Sequence, residues 1–383
     1  MKSRVAIIDS VGAHGSSFHY YVFGQAIGLI KSGLKISVYT NDETENPKIE
    51  SLDFYQTYKN IYKSKYRLLS AIRYLRASVY SIIHARSNGC KIFHFHLFDF
   101  NLLILFNILI CRISFSKAVL TIHDVKSFDS VKKNNLVSRL IYKLSSALIT
   151  HNIFSRDEIK KDNKLSNQNI HIIPHGNYLP FINVQKDKSL CRKELELPKN
   201  KKIILFFGMI KKVKGLEVLL RAMKKIKANN KDIVLLVAGK CYKNDFAFYQ
   251  QIIDKNKLND NCILHIKFIP DEDVEYYYGA CDLVVLPYTR IYQSGVLLMS
   301  LSYRKPTLVS DLDPLTDIIT HNKTGYIFKS QDPNDLSQKI VDILNDENSL
   351  QHVNKNAYQH VKKKYSWEAI GSATKRVYQT LIE

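Results

Sequence analysis

A chain of 383 residues exceeds one ordinary core and is expected to fold as two domains, while its 45% hydrophobic content excludes a disordered polymer. Lys plus Arg number 56 against 35 Asp plus Glu, a net charge of +21 that suits polyanionic company: phosphate-bearing substrates, acidic lipid or nucleic acid. Cys90, Cys111, Cys191, Cys241, Cys262 and Cys281 form no CxxC and no Cys/His cluster at metal-ligand spacing, so free thiols in a reducing compartment are expected.

The opening stretch MKSRVAIIDS is too short an apolar run for a signal peptide, because Asp9 interrupts it. Strands are predicted at 4–9, 35–40, 91–96, 118–124, 147–150 and 170–174, with helical patterns between them. The stretch 54–78 places Tyr55, Tyr58, Tyr62 and Tyr66 at helical spacing among Lys59, Lys63, Lys65, Arg67, Arg73 and Arg76. It reads either as a solvated helix with tyrosines folded onto a sheet or as a basic helix suited to an anionic membrane surface. The segment LLILFNILIC (102–111) is about half of the ~20 residues a membrane span needs, and is expected to be a buried helix. A cytoplasmic location follows as an expectation. His94 and His96 alternate onto one face of a strand, but no third ligand lies nearby in sequence, and no metal is expected.

The polar, lysine-rich stretch 183–202 reads as a linker. Beyond it, strands are predicted at 202–208, 233–239, 262–268, 282–288, 307–311 and 325–329. Continuous apolar strands separated by helices indicate parallel sheets covered on both faces, hence two doubly wound domains in tandem. Ligands in such sheets bind beyond the carboxyl ends of strands. That rule selects the loops DSVGAHGSS (9–17), HLFDF (96–100), HDVKSF (123–128) and GMIKKVKG (208–215), and places a pocket in a cleft between the domains.

The last of these loops carries the clearest chemistry. A turn bracketed by Gly208 and Gly215 feeds a helix, with Lys211, Lys212 and Lys214 between the glycines. Free backbone N–H groups and the positive helix end suit an anion such as a diphosphate. A solvated lysine loop is the alternative. Gly12 and Gly15 sit in a similar position after the first strand, where a plain turn is the alternative.

From strand to leucine-rich helix, IILFFGMIKKVKGLEVLL (203–220) resembles the donor-site signature of GT-B glycosyltransferases of family 4, the glycosyl transferases group 1. IIPHGNY (172–178), LLVAGK (235–240), FIPDEDVEYYYGACDLVVLPY (268–288), KPTLVSDLDPLTDIITHNKTGYIF (305–328) and YSWEAI (365–370) continue the likeness along nearly the whole chain. The resemblance implies a GT-B fold of two Rossmann-like domains. Residues 1–182 would form the acceptor domain, 200–364 the nucleotide-sugar donor domain, and 365–383 a terminal helix crossing back.

By position, Lys214 would bind the donor diphosphate, Gly208 would give close approach, and Lys211 would substitute for an arginine replaced here by Met209. Phe268 and Ile269 would flank the nucleotide base. Gly12 and Gly15 match the glycine loop near donor and acceptor, His96 would touch substrate, and His123 and Asp124 match the catalytic position beneath the reacting sugar. Most relatives carry two glutamates where this chain has Ile291 and Met299, neither of which can hold ribose. Tyr-x-Ser-Gly in this stretch resembles a subgroup, in which Gln293, Ser294 and Gly295 would offer an amide, a hydroxyl and helix N-terminal N–H groups; a mere helix cap is the alternative.

The implied activity is hexosyl transfer from a nucleoside-diphosphate sugar, without a cofactor or metal, to a hydroxyl of a saccharide or lipid-linked saccharide in surface polysaccharide assembly. The implied partners include an anionic membrane surface, on whose inner face the protein would be peripheral, and no nucleic acid, since no binding motif accompanies the charge. A sugar-nucleotide epimerase would need acids that 287–306 lacks, and a non-catalytic partner subunit would have kept the fold and lost the glutamates.

Overall fold

The computed structural model describes residues 4–15, 17–125, 135–163, 169–182 and 186–382. Ser16 of the first glycine loop, 126–128 of the HDVKSF loop and 183–185 of the expected linker lie outside them. The chain separates into two compact units, Met1–Gly176 with Tyr365–Glu383, and Asn177–Lys364.

The first unit runs β1 Arg4–Asp9, α1 His19–Lys31, β2 Lys35–Asn41, β3 Leu52–Tyr58, α2 Arg67–Ser87 and β4 Cys90–Leu97. It continues with α3 Leu102–Ile113, β5 Lys117–Ile122, α4 Asn135–Leu144, β6 Ala147–Thr150, α5 Ile153–Asn163 and β7 Ile170–Ile172. Its strands form a parallel sheet in the order β3-β2-β1-β4-β5-β6-β7. Right-handed crossovers place α2, α3 and α4 on one face and α1 on the other. Val5, Ile7, Ile36, Val38, Ile92 and Val119 bury their side chains against α1.

The second unit opens with α6 Lys188–Glu194, β8 Lys202–Phe207, α7 Leu216–Asn229, β9 Ile233–Ala238, α8 Ala247–Lys255, β10 Cys262–His265 and α9 Val274–Ala280. It closes with β11 Leu283–Leu286, α10 Gly295–Ser302, β12 Thr307–Ser310, α11 Asp313–Thr316, β13 Tyr326–Phe328, α12 Pro333–Asn345 and α13 Glu347–Lys364. The order is β10-β9-β8-β11-β12-β13, again parallel. In both sheets the order reverses beside the first strand of the unit, where β1 and β8 each have neighbours reached by crossovers in opposite directions. That is where a doubly wound sheet opens its carboxyl-end crevice.

Three segments differ from the sequence reading. Residues 54–78 are not one helix: β3 takes Leu52–Tyr58 and α2 starts only at Arg67. Tyr55 pairs with Tyr39 in register and stacks on it at 5.0 Å, and Tyr58 is fully buried, so edge-strand pairing overrides the helical spacing. The greasy α3 is only partly buried, with Asn107, Ile108 and Cys111 inside while Leu102, Leu109 and Ile113 are exposed. Residues 186–202 of the expected linker instead belong to the second unit. Cys191 of α6 is buried there, and the Arg192 guanidinium lies 2.8 Å from Asp282 at the start of β11.

The last helix of the first unit, α14 Trp367–Gln379, packs on α1 through glycines. A Cβ at Gly24 or Gly176 would strike the Trp367 indole, one at Gly28 the Trp367 carbonyl, and one at Gly371 the backbone of Gly28. Helices approach this closely only where side chains are missing. We expect Gly28→Val to destabilise the first unit by about 2 kcal/mol or more, the scale of overpacking a tight interface. Urea unfolding followed by fluorescence checks this, because Trp367 is the chain's single tryptophan and reports this unit.

Candidate functional site

In the second unit, β8 ends on an apolar run and Gly208 follows at φ +98°, a conformation that favours glycine. The turn then holds Lys211, Lys212 and Lys214 and closes on Gly215 at φ +69°, where α7 begins. A Cβ at Gly215 would collide with the Pro287 carbonyl after β11, and Thr289 N–H donates to Val213 O at 2.9 Å. The lysine turn is thereby pinned to the loop leaving β11. On that loop Tyr288 is buried and receives the Lys214 ammonium 3.9 Å from its ring centroid, a cation–π contact that aims the lysine. Lys211 lies 4.9 Å from the Tyr242 ring.

The start of α10 stands beside this turn, with Val296 Cγ2 3.4 Å from where a Cβ on Gly208 would stand. Ser294 is buried and its Oγ accepts from Leu297 N at 3.1 Å, so it caps the helix. Gln293 Oε1 is buried with no hydrogen-bond partner among the described residues. Ile291 is part of the core, and Met299 lies within α10. Phe268, on the loop after β10, is exposed, and Ile269 beside it is buried. The structure thus gathers Gly208, Lys211, Lys214 and the Gln293–Gly295 stretch around one βα turn.

In the first unit, Asp9 ends β1 and folds its carboxylate onto the following turn, accepting from Val11 N at 3.0 Å and Gly12 N at 3.1 Å. Burial raises its pKa to about 6 despite those bonds. Gly12, at φ +50°, packs where a Cβ would strike Thr44 Oγ1, whereas Gly15, at φ +62°, has open space beside it. The role of Gly12 is therefore close packing as well as conformation.

His123 follows β5 directly and is buried: Phe98 stacks on it at 4.6 Å, and Phe18 and Tyr21 meet it edge-on at 5.0 and 4.9 Å. His94 and His96 do acquire histidine neighbours, His123, His151 and His175, delivered by the ends of β5, β6 and β7. Among the described residues, however, no group of three His, Cys, Asp or Glu is placed to hold a metal ion. The nitrogens are occupied by one another. His151 Nδ1–H donates to Ile173 O at 3.0 Å, leaving its Nε2 to accept from His123 Nδ1–H at 3.1 Å. His123 Nε2 then lies 3.2 Å from His96 Nδ1, and His96 Nε2 lies 3.1 Å from the accepting Gln25 Oε1, so the neutral His96 ring has one proton for two acceptors. With both nitrogens engaged, His123 has no lone pair to spare. Asp124 itself is half-buried on the loop leaving β5. His151, His175, Tyr21, Gln25, Asp9 and Tyr288 are site residues that the sequence reading missed.

Burial holds these rings neutral, with the His151 pKa lowered to about 4 and those of His94 and His175 to about 3. Their unfolded values lie near 6.5, so on acidification the unfolded chain takes up protons that the folded unit refuses. Their contribution is present above about pH 6.5 and is lost as pH falls towards about 4. Asp9 works the other way, since its raised pKa favours the folded state below about 6, but it is one group against several. We expect the urea midpoint reported by Trp367 to fall steadily between pH 7 and 5, with each histidine contributing up to ~1.4 kcal/mol per pH unit. A midpoint that holds or rises over that window contradicts the neutral network.

Residues 187–360 match the family Glycosyl transferases group 1, so the second unit carries a group 1 domain. An uncharacterized glycosyltransferase of Methanocaldococcus jannaschii is 26% identical over 201 residues, covering 52% of this chain and 50% of its own. The capsular polysaccharide biosynthesis glycosyltransferase CapM of Staphylococcus aureus is 24% identical over 214 residues, covering 54% of each. The chain thus spans about half the length of the curated relatives it matches. Sucrose-phosphate synthase of Thermosynechococcus elongatus is structurally similar with a TM-score of 0.77 at 19% identity, over 100% of this chain and 99% of that one. Anabaena HepE, solved with UDP and glucose, gives 0.76 at 13% identity, over 99% and 100%. The fold is GT-B, built from two Rossmann-like α/β units.

Proposed function

We propose that this chain is a glycosyltransferase that moves a hexosyl unit from a nucleoside-diphosphate sugar to a hydroxyl of a lipid-linked saccharide in surface polysaccharide assembly. The observation that carries the reading is the turn from Gly208 to Gly215, with Lys214 held over Tyr288 and the start of α10 alongside. Such a turn offers a leaving diphosphate backbone N–H groups, two helix N-termini and a fixed ammonium. The group 1 match over 187–360 supports the same chemistry, as does the naming of CapM for the pathway class.

On this reading the second unit holds the donor. Gly208 allows close backbone approach, Lys214 and Lys211 neutralise the departing diphosphate, and Phe268 and Ile269 border the base. Gln293, Ser294 and Gly295 take over the ribose contact that Met299 cannot make. The first unit presents the acceptor, with Gly12, Gly15 and His96 along its carboxyl edge. In an inverting reaction Asp124 takes the acceptor proton, oriented from behind by His123; in a retaining one the leaving phosphate itself serves as base. No metal is assigned a role. The absence of acids at Ile291 and Met299 also favours a second reading, a non-catalytic partner subunit, which transfer by the purified protein would eliminate.

A thermal-shift screen with UDP, GDP, ADP, CMP and dTDP sugars identifies the donor, since a ligand at 100 times its Kd stabilises the folded state by about 2.7 kcal/mol. We expect Lys214→Ala to lower transfer about 10²- to 10³-fold with the fold intact. Wild-type turnover in that variant would return the lysines to the role of a solvated loop.

We also expect Gly295→Val to abolish donor binding in calorimetric titration, because it fills the backbone approach at the start of α10. Met299→Leu, a volume-conserving swap, should leave binding nearly unchanged. Unimpaired binding by Gly295→Val would move the donor away from this helix.

A further inference from the structure

The loop leaving β9 lies against the lysine turn as though the two strands continued. Gly208 N–H donates to Ala238 O, Ile210 N–H to Lys240 O and Tyr242 N–H to Ile210 O, each at 2.9 Å, so Ile210 and Cys241 pair in parallel beyond the strand ends. Gly239, at φ +147°, makes the approach possible, because a Cβ there would strike the Gly208 carbonyl. Cys241 is buried, and its thiol donates to Asp245 O at 2.8 Å, closing the loop from behind. A lysine on a mobile loop would carry no inference, but this loop is fixed along its length.

Lys211, Tyr242 and Lys243 stand on this frame. The exposed Tyr242 ring has the Lys211 ammonium 4.9 Å from its centroid and the Lys243 ammonium 5.5 Å from it, both within cation–π range. Lys243 itself is in the left-handed region at φ +58°, a conformation that a residue with a side chain keeps only where its surroundings impose it, and one that gathers at ligand sites. Among the described residues no carboxylate forms an ion pair with Lys211 or Lys243. The carboxylate closest to Lys243 in sequence, Asp245, accepts from Ala247 N–H at 3.2 Å at the start of α8. Two like charges brought to one ring repel each other, and an anion between them turns that repulsion into attraction. Lys211 belongs to the turn that ends on Gly215, so the anion that meets Lys211 is the one that turn is built to receive.

We propose that Lys243 is a further phosphate-binding residue of the Gly208–Gly215 site and that Tyr242 positions Lys211 and Lys243 on the same diphosphate. On the transferase reading, from which this follows, the diphosphate is held from two neighbouring strand ends, β8 and β9. Lys214 over Tyr288 and Lys211 over Tyr242 then repeat one device, an aromatic ring that fixes an ammonium without neutralising it. A carboxylate in either place would fix the lysine as well, but it would cancel the charge that the ligand needs.

The test is calorimetric titration of the full chain with inorganic pyrophosphate and with UDP, GDP and ADP, at low and high salt. Lys243→Gln is expected to weaken binding of pyrophosphate and of the matching nucleotide about fivefold. It should also flatten the salt dependence of their Kd, which loss of a purely structural lysine would not do. Tyr242→Leu should weaken the same ligands about threefold, and Tyr242→Phe should restore the parent affinity, since the ring and not the hydroxyl meets the ammonium groups. With Lys211→Ala and Lys243→Gln in place, Tyr242→Leu should lower affinity no further. An unchanged thermal midpoint without ligand certifies the fold of each variant. The proposal is overturned, with the transferase reading left standing, if Lys243→Gln or Tyr242→Leu titrates as the parent does while Lys214→Ala loses affinity. It falls together with that reading if Lys214→Ala also titrates as the parent does, or if the parent binds neither pyrophosphate nor any of the nucleotides.

Discussion

Gly215 and the Pro287 carbonyl come so close that no side chain fits between them, and the geometry of the second unit's site descends from that contact. A lysine-bearing loop in water would sample many conformations and would cost entropy to order around a ligand. Here the turn is anchored at both ends, by positive-φ glycines, and in the middle by Thr289 N–H on Val213 O. Tyr288, carried by the same loop from β11, then receives Lys214 on its ring face. Among the described residues no carboxylate forms an ion pair with this ammonium at the helix start. A site built this way is organised before its ligand arrives, which is the condition under which fixed donors stabilise a developing negative charge most effectively.

The first unit solves a different problem with its histidines. Five imidazoles at the carboxyl edge of a buried sheet would repel one another if charged, and desolvation alone disfavours their protonation. Because the Ile173 carbonyl can only accept, it fixes the tautomer of His151, and that choice passes to His123. His94 stands apart from this run, bonded to Tyr378 at 2.5 Å and Thr121 at 2.7 Å, and so ties β4 to α14. The terminal helix is thus held to the first unit by glycine packing around Trp367 at one end and by a buried polar bond at the other.

Most of the parallel strands were legible because each is a short continuous apolar run, as in IVLLVA of β9, which is buried throughout. β3 was not, since an edge strand such as LDFYQTY is half-buried and mixed in composition, and its tyrosine spacing imitates a helix. Periodicity pointed to a basic, tyrosine-bearing helix over 54–78; only packing reveals that α2 starts at Arg67 and has Ala77, Ser78 and Ser81 on its inner side. The residues proposed for the donor lie close together in sequence around two turns, within reach of a reading along the chain. His151, His175 and Gln25 could not, because three separate strand ends and a helix bring them together. One signal was available: His123 and His151 each follow a strand end immediately, and His175 follows one closely.

Under the transferase reading, Gln293 bears on the ribose contact that Ile291 and Met299 cannot make. A buried carbonyl oxygen with no donor costs about 1–3 kcal/mol, more than a domain readily tolerates without compensation. Its neighbour Ser294 is already committed as the helix cap, and Met299 can offer nothing better than a weak thioether acceptor. A ligand hydroxyl arriving at the start of α10 would supply the donor that Gln293 Oε1 lacks. Under the transferase reading the ribose of the donor fits that requirement, with one amide oxygen replacing a carboxylate. A neutral acceptor binds a hydroxyl less strongly than an ionised one. On that reading it also adds no negative charge beside a departing diphosphate, so an amide in place of an acid would favour the leaving group even as it weakened the grip on ribose.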